Sequence, residues 1–189
     1  SFGFIIAMVI GILMAVFAAK YKWFKQLLAP LIFTVKSIPV ASFIILVLIW
    51  VRSAQLSIVI SFLMVFPIFY ENVRKGIEMC DQQLLEMADV FELSSFTRIR
   101  YIYTSSILPY FQSACSLALG LAWKSGIAAE VIGLPKFSIG EHLQQAKVYF
   151  DTADLFAWTL VIILLSTVLE KLVMALIRMI IKYIETECL

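Results

Sequence analysis

From residue 2 to residue 19 the chain reads FGFIIAMVIGILMAVFAA, without a single charged side chain. As a helix that run is about 27 Å long, close to the hydrocarbon thickness of a bilayer. The rest of the chain keeps the pattern. Apolar residues make up 62% of it and charged residues 15%, with a mean hydropathy of +0.98. A soluble domain carries about a quarter charged residues. Here the charges are scarce and gathered between long apolar stretches, which is the signature of a multi-pass membrane protein.

The first run stops at Lys20, Lys22 and Lys25. A second span is predicted from Ile38 to Val51, between Lys36 and Arg52, with Pro39 near its start where a missing N–H costs least. That run is short for a bilayer, so its end charges must snorkel or its neighbours must shield it. A third span covers Ala54 to Tyr70, and a fourth starts at Ile107-Leu108-Pro109 and reaches at least Trp123. A fifth begins near Asp154 and continues past Leu169 into a charged helical tail. The fold class that follows is an all-α polytopic helical bundle of about five transmembrane helices, forming one membrane domain over residues 1–189. The chain opens at Ser1 inside an apolar run, so the expectation is that a further N-terminal span is missing from it.

The basic residues orient these spans. With odd-numbered spans ending inside, Lys20, Lys22, Lys25, Lys36, Arg74, Lys75, Arg98, Arg100, Lys171, Arg178 and Lys182 fall on the cytoplasmic side. Arg52, Lys136 and Lys147 fall outside, and Lys124 lies between. This bias predicts a cytoplasmic loop at 71–106, an external loop at 136–151 and a cytoplasmic C-terminus.

Several functions are excluded. A net charge of +2 with no basic stripe argues against nucleic acid. Cys80, Cys115 and Cys188 lie far apart, with neither metal-ligand nor disulfide spacing, and read as small apolar residues. His142 stands alone in the 136–151 loop and is expected to be solvated. There is no G-x-x-x-x-G-K-[ST], H-E-x-x-H or G-x-S-x-G, so catalysis and a cofactor on this chain find no support.

The 71–106 loop is charged but patterned. In DQQLLEMADVFE, residues 81–92, Leu84, Met87, Ala88 and Phe91 fall on one narrow arc of a helix, while Gln82, Gln83, Glu86, Asp89 and Glu92 take most of the rest. Ser94 or Ser95 can cap a second helix through Phe96, Ile99 and Tyr103 toward Pro109. Helices that lie on lipid usually carry Lys and Arg on the polar face. This face is acidic, which fits docking into a groove of a partner protein better than contact with anionic lipid.

The segment Leu85-Glu86-Met87-Ala88-Asp89-Val90-Phe91-Glu92-Leu93-Ser94, with Leu108-Pro109 beyond it, resembles the E-A-A-x-x-x-G loop of ABC importer permeases. Glu86 and Ala88 match the first and third motif positions and Met87 replaces the first Ala. Glu92 stands where the family has Gly, and Thr104-Ser105 where a first Leu-Pro pair is usual. Gly120-Leu121-Ala122-Trp123-Lys124, Ala128-Ala129-Glu130, Gly133-Leu134-Pro135 and Asp151 to Thr159 are similar to the nitrate/sulfonate/taurine branch, which also includes carriers of thiamine-pyrimidine precursors. The resemblance implies a type I importer permease fold, with one more N-terminal span in most members. It implies coupling helices seated on cytoplasmic ATP-binding subunits that carry the ATP and Mg, a second permease copy, an external solute-binding protein and an inner-membrane location. It places Leu84, Glu86, Met87, Ala88, Phe91, Glu92 and Ser94 in the docking loop.

Trp123, Lys124 and Glu130, near the outer end of span four, are candidates for the pathway or its external gate. Lys124 and Glu130 are six residues apart and cannot simply pair along a helix. Lys124 beside Trp123 also fits snorkelling, and Glu130 fits a hydrogen bond anchoring the external loop. Phe137-Ser138-Ile139-Gly140 followed by Glu141 to Tyr149 reads as a short external helix, a contact for a binding protein or a plug on the bundle. An ion-gradient transporter or channel remains the alternative. It needs ionisable groups at mid-membrane and usually an internal repeat, and neither is visible in spans one, two, three and five.

Overall fold

A computed structural model describes the backbone of residues 2–188 and the side chains of residues 2–182. Every regular element among them is helical: α1 (Phe2–Lys20), α2 (Lys22–Ser37), α3 (Val40–Leu48), α4 (Ser53–Glu78), α5 (Gln82–Val90), α6 (Ser95–Thr97), a wide π turn (Arg98–Tyr103), α7 (Thr104–Gly133), α8 (Ile139–Val148) and α9 (Thr152–Cys188). Four of these are long and apolar enough to cross a membrane, and the bent pair α2–α3 makes up to five. The all-α multi-pass bundle expected from the apolar runs is thus present.

The core is built on α4, which is half buried along its span. On one side lies α1, whose buried residues Gly3, Ala7, Gly11, Ala15 and Ala18 form a stripe of small side chains. Such a stripe lets two helix backbones approach closely where lipid supplies no hydrophobic drive. A Cβ added at Gly11 would lie 2.8 Å from Cβ of Phe69 on α4, so the glycine is what permits this contact. On the other side runs α7, antiparallel to α4, with Ala114, Cys115, Ala118 and Ala122 in the same cluster as Val65, Phe69 and Val73. α3 covers the opposite end of α4, Ile44 packing with Leu56, Ile60 and Ala129.

Span two differs most from its expectation at 38–51. α3 has only nine residues, about 14 Å of helix, too short to cross alone. Residues 22–37, expected to be a connection, form the 16-residue α2, joined to α3 at a 103° bend. The physical reason lies in both segments. Pro39 cannot continue the ladder from α2, and Ile38 beside it is extended, as residues before proline favour. α2 meanwhile buries Leu28 and Ile32, one turn apart, and reaches α4 with Lys25 Nζ 2.8 Å from Glu78 and Lys36 Nζ 2.7 Å from Glu71. These exposed pairs each contribute about 0–1 kcal/mol, enough to set the register of a helix already held by packing.

Spans three and four are longer than their apolar runs. α4 continues through Glu78 because Arg74 and Glu78 pair one turn apart, 2.5 Å. The helical path into α7 starts at Ser95, so Pro109 lies inside it. The wide turn just before Pro109 is marked by Thr104, whose N–H and Oγ1 both donate to the Ile99 carbonyl, the latter at 2.8 Å. α9 runs 37 residues, and its most apolar stretch is almost entirely uncovered by the rest of the chain.

Candidate functional site

The connection between α4 and α7, at the basic end of the bundle, is locally over-determined. Asp81 caps α5, accepting from the Gln83 N–H at 2.9 Å. α5 ends in a Schellman turn: the Leu93 N–H donates to the Ala88 carbonyl at 2.9 Å and the Glu92 N–H to Asp89 at 3.1 Å. Glu92 carries the left-handed conformation of that turn, φ 51°, where glycine is usual. Arg98 reaches back from the next helix. Its Nε donates to the Leu93 carbonyl at 2.9 Å, one guanidinium nitrogen to the Ala88 carbonyl at 3.2 Å, and the other pairs with Asp89. Of the two candidate caps it is Ser94 that acts, accepting from the Thr97 N–H at 3.2 Å.

This lock divides the arc predicted for α5. Ala88 is fully buried within the chain, so it does not face outward as part of a docking surface. Leu84, Met87, Val90 and Phe91 remain exposed, Phe91 to 70%, and Phe96 and Ile99 extend the patch. Glu86, Asp89 and Glu92 are exposed beside it.

At the opposite end, α7 closes on a left-handed Leu134 and α8 folds back against it. Gly140 makes the approach close, since a Cβ there would lie 2.4 Å from Cβ of Glu130. The Gly140 N–H donates to Glu130 Oε2 at 3.3 Å, and Ser138 caps α8 through the Glu141 N–H at 3.1 Å. Glu130 therefore anchors the 136–151 loop. His142 is exposed at its edge but stacks on Trp158, ring centres 4.7 Å apart. Between α1, α4, α7 and α9 lies a cavity of about 630 Å³, bounded by Trp123, Glu130, Ser57 and Glu170 among others. Trp123 Nε1 is buried and has no hydrogen-bond acceptor among the described residues. Lys124 is exposed and is not part of the cavity wall.

A sequence model of binding-protein-dependent transport system inner membrane components matches residues 7–185. The chain belongs to that family. Its members are membrane permease components of ABC-type transport systems. Relatives of this permease include a Bacillus subtilis protein whose name assigns it to aliphatic sulfonate transport, 24% identical over 97% of the chain and 66% of that protein. A riboflavin transport system permease of Chloroflexus aurantiacus is 24% identical over 87% of the chain and 62% of its own length. A bicarbonate transport system permease of Synechococcus elongatus is 25% identical over 95% and 65%. The permease chain thus spans about two thirds of the length of these relatives.

Among the described residues no group of three or more His, Cys, Asp or Glu side chains could hold a metal. Cys115 is buried and Cys80 partly so, while the side chain of Cys188 lies outside the described residues. Two residues of this permease take roles that their immediate sequence context does not signal. Arg98 reads in the sequence only as a basic charge, because its partners lie five to ten residues back across a turn. Glu170 follows Leu169, past which span five is expected to run into a charged tail, but it lies within the span and lines the cavity. Its signal was available in Ser166 and Glu170, one turn apart on the half-buried stripe of α9.

Proposed function

We propose that this chain is the membrane-spanning subunit of an ATP-driven importer in a bacterial inner membrane. In this reading the 71–106 loop and the C-terminus are cytoplasmic and the 136–151 loop faces outward. Two ATP-binding subunits carry the ATP and Mg and dock on α5. A second permease copy completes the pathway, and an external solute-binding protein delivers cargo. The cargo is a small solute of the nitrate, sulfonate and taurine class or the thiamine-pyrimidine class.

The observation that carries this reading is the exposed patch of Leu84, Met87, Val90 and Phe91 on a helix whose backbone is locked by Arg98. A rigid amphipathic helix set apolar side out is the arrangement that seats in a partner's groove. Closure of the ATP-binding subunits would move α5, and α4 and α7 are joined to it through short turns, so the bundle can rock between two states.

The test is copurification from detergent. Phe91→Glu should release the ATP-binding subunit while the permease still inserts in the membrane. Retained assembly would favour a lipid-surface role for α5. Solute uptake that persists without the ATP-binding subunit would favour ion-gradient transport instead.

A further inference from the structure

The cavity between α1, α4, α7 and α9 is charged in one sense only. Among the described residues its ionisable wall groups are Glu130 and Glu170, and no Lys, Arg or His lines it. Helix rotation arranges this at two places. On α7, Trp123 forms wall while the neighbouring Lys124 is exposed elsewhere. On α9, Glu170 faces in and is half buried, while Lys171 is exposed. Glu130 makes one long hydrogen bond, from Gly140 at 3.3 Å. Glu170 has no hydrogen-bond or ion partner among the described residues. Ser57 and Ser166 add hydroxyls to the wall, and the volume of about 630 Å³ lies within the range of small-molecule sites.

An unpaired carboxylate inside a membrane span is expensive and marks a site of function. Two carboxylates in a cleft with low-dielectric walls focus a negative potential. Such focusing raises the local concentration of a cation by about 10 to 10³-fold and depletes an anion in the same way. The Trp123 ring supplies a flat face on which an ammonium group or a planar heterocycle can rest.

We propose that this cavity is a transit subsite for neutral or cationic hydrogen-bonding solutes, that it excludes anions, and that Glu170 is the residue setting this specificity. The proposal rests on the permease reading and narrows its cargo, away from sulfonate and nitrate and toward an uncharged or cationic heterocycle.

Charged thiol reagents test it without knowledge of the cargo. The assembled transporter is placed in lipid nanodiscs with Cys80, Cys115 and Cys188 replaced. One variant carries Ser57→Cys in the cavity and another Gln145→Cys on exposed α8. Each is modified with the cationic 2-aminoethyl and the anionic 2-sulfonatoethyl methanethiosulfonate. The cation-to-anion rate ratio at Ser57→Cys, divided by that at Gln145→Cys, should be about tenfold or more. Glu170→Gln should lower it several-fold, and adding Glu130→Gln should bring it to about one. A normalised ratio near one in the chain with both glutamates overturns the proposal, even if the Gln variants fail to assemble. So does a ratio that Glu170→Gln leaves unchanged, or a Ser57→Cys thiol that neither reagent reaches. Copurification of the ATP-binding subunit from the same preparation reads the permease assignment separately. Its loss with charge selectivity retained would count against that assignment alone.

Discussion

Glu92 holds a left-handed turn that costs an L-residue with a side chain about 1–2 kcal/mol. The turn survives because the two backbone bonds of the Schellman motif and the three reaches of Arg98 outweigh that cost. Glu92→Gly should therefore stabilise the loop, by about 1 kcal/mol, and slow amide exchange at Leu93. Arg98→Ala should act in the opposite sense, weakening assembly with the ATP-binding subunit although Arg98 itself is no part of the apolar patch. Ala88→Glu should abolish assembly by unfolding the loop from within, since Ala88 is buried. Lys124 belongs to a different class. It is exposed and apart from the cavity wall, so Lys124→Gln should leave uptake and apparent solute affinity nearly unchanged. A loss of uptake confined to anionic cargo would show the opposite.

At the scale of elements, α4 connects everything else. Its 26 residues span about 39 Å, long enough to contact α3 at one end and project Glu78 beyond the hydrocarbon at the other. Only three residues separate it from α5, so displacement of α5 is transmitted to α4 with little slack. α1 follows α4 because their backbones touch at the small-residue stripe. Gly11→Leu forces a side chain into Phe69 and should cost about 1–3 kcal/mol. Lower thermal stability of the detergent-solubilised protein, with α5 still competent to dock, is the expected result.

For the whole molecule, the decisive quantity is which end faces which compartment. Lys25, Arg74 and the α5 loop gather at one end, and Glu130, α8 and the 136–151 loop at the other. A membrane-impermeant thiol reagent added outside should modify Ser138→Cys and leave Gln82→Cys untouched. The reverse pattern would invert the topology and remove the docking argument with it.

The number of apolar runs, the amphipathic residues 81–92 and a cap at Ser94 or Ser95 are legible because each depends on neighbours within one or two turns of chain. The positive-inside bias is likewise a count along the sequence. The break of span two was half visible in Pro39. The helix before it was hidden, since α2 is held by burial of Leu28 and Ile32 and by Glu71 and Glu78, more than thirty residues away. Ala88 shared an apolar arc with Phe91, and only the return of Arg98 across the turn put one inside and the other out. Glu170 and Lys171 are adjacent and equally charged in magnitude. The rotation of α9 against α7, with Met174 and Ile177 packed into the core, decides that the carboxylate enters the cavity and the ammonium does not.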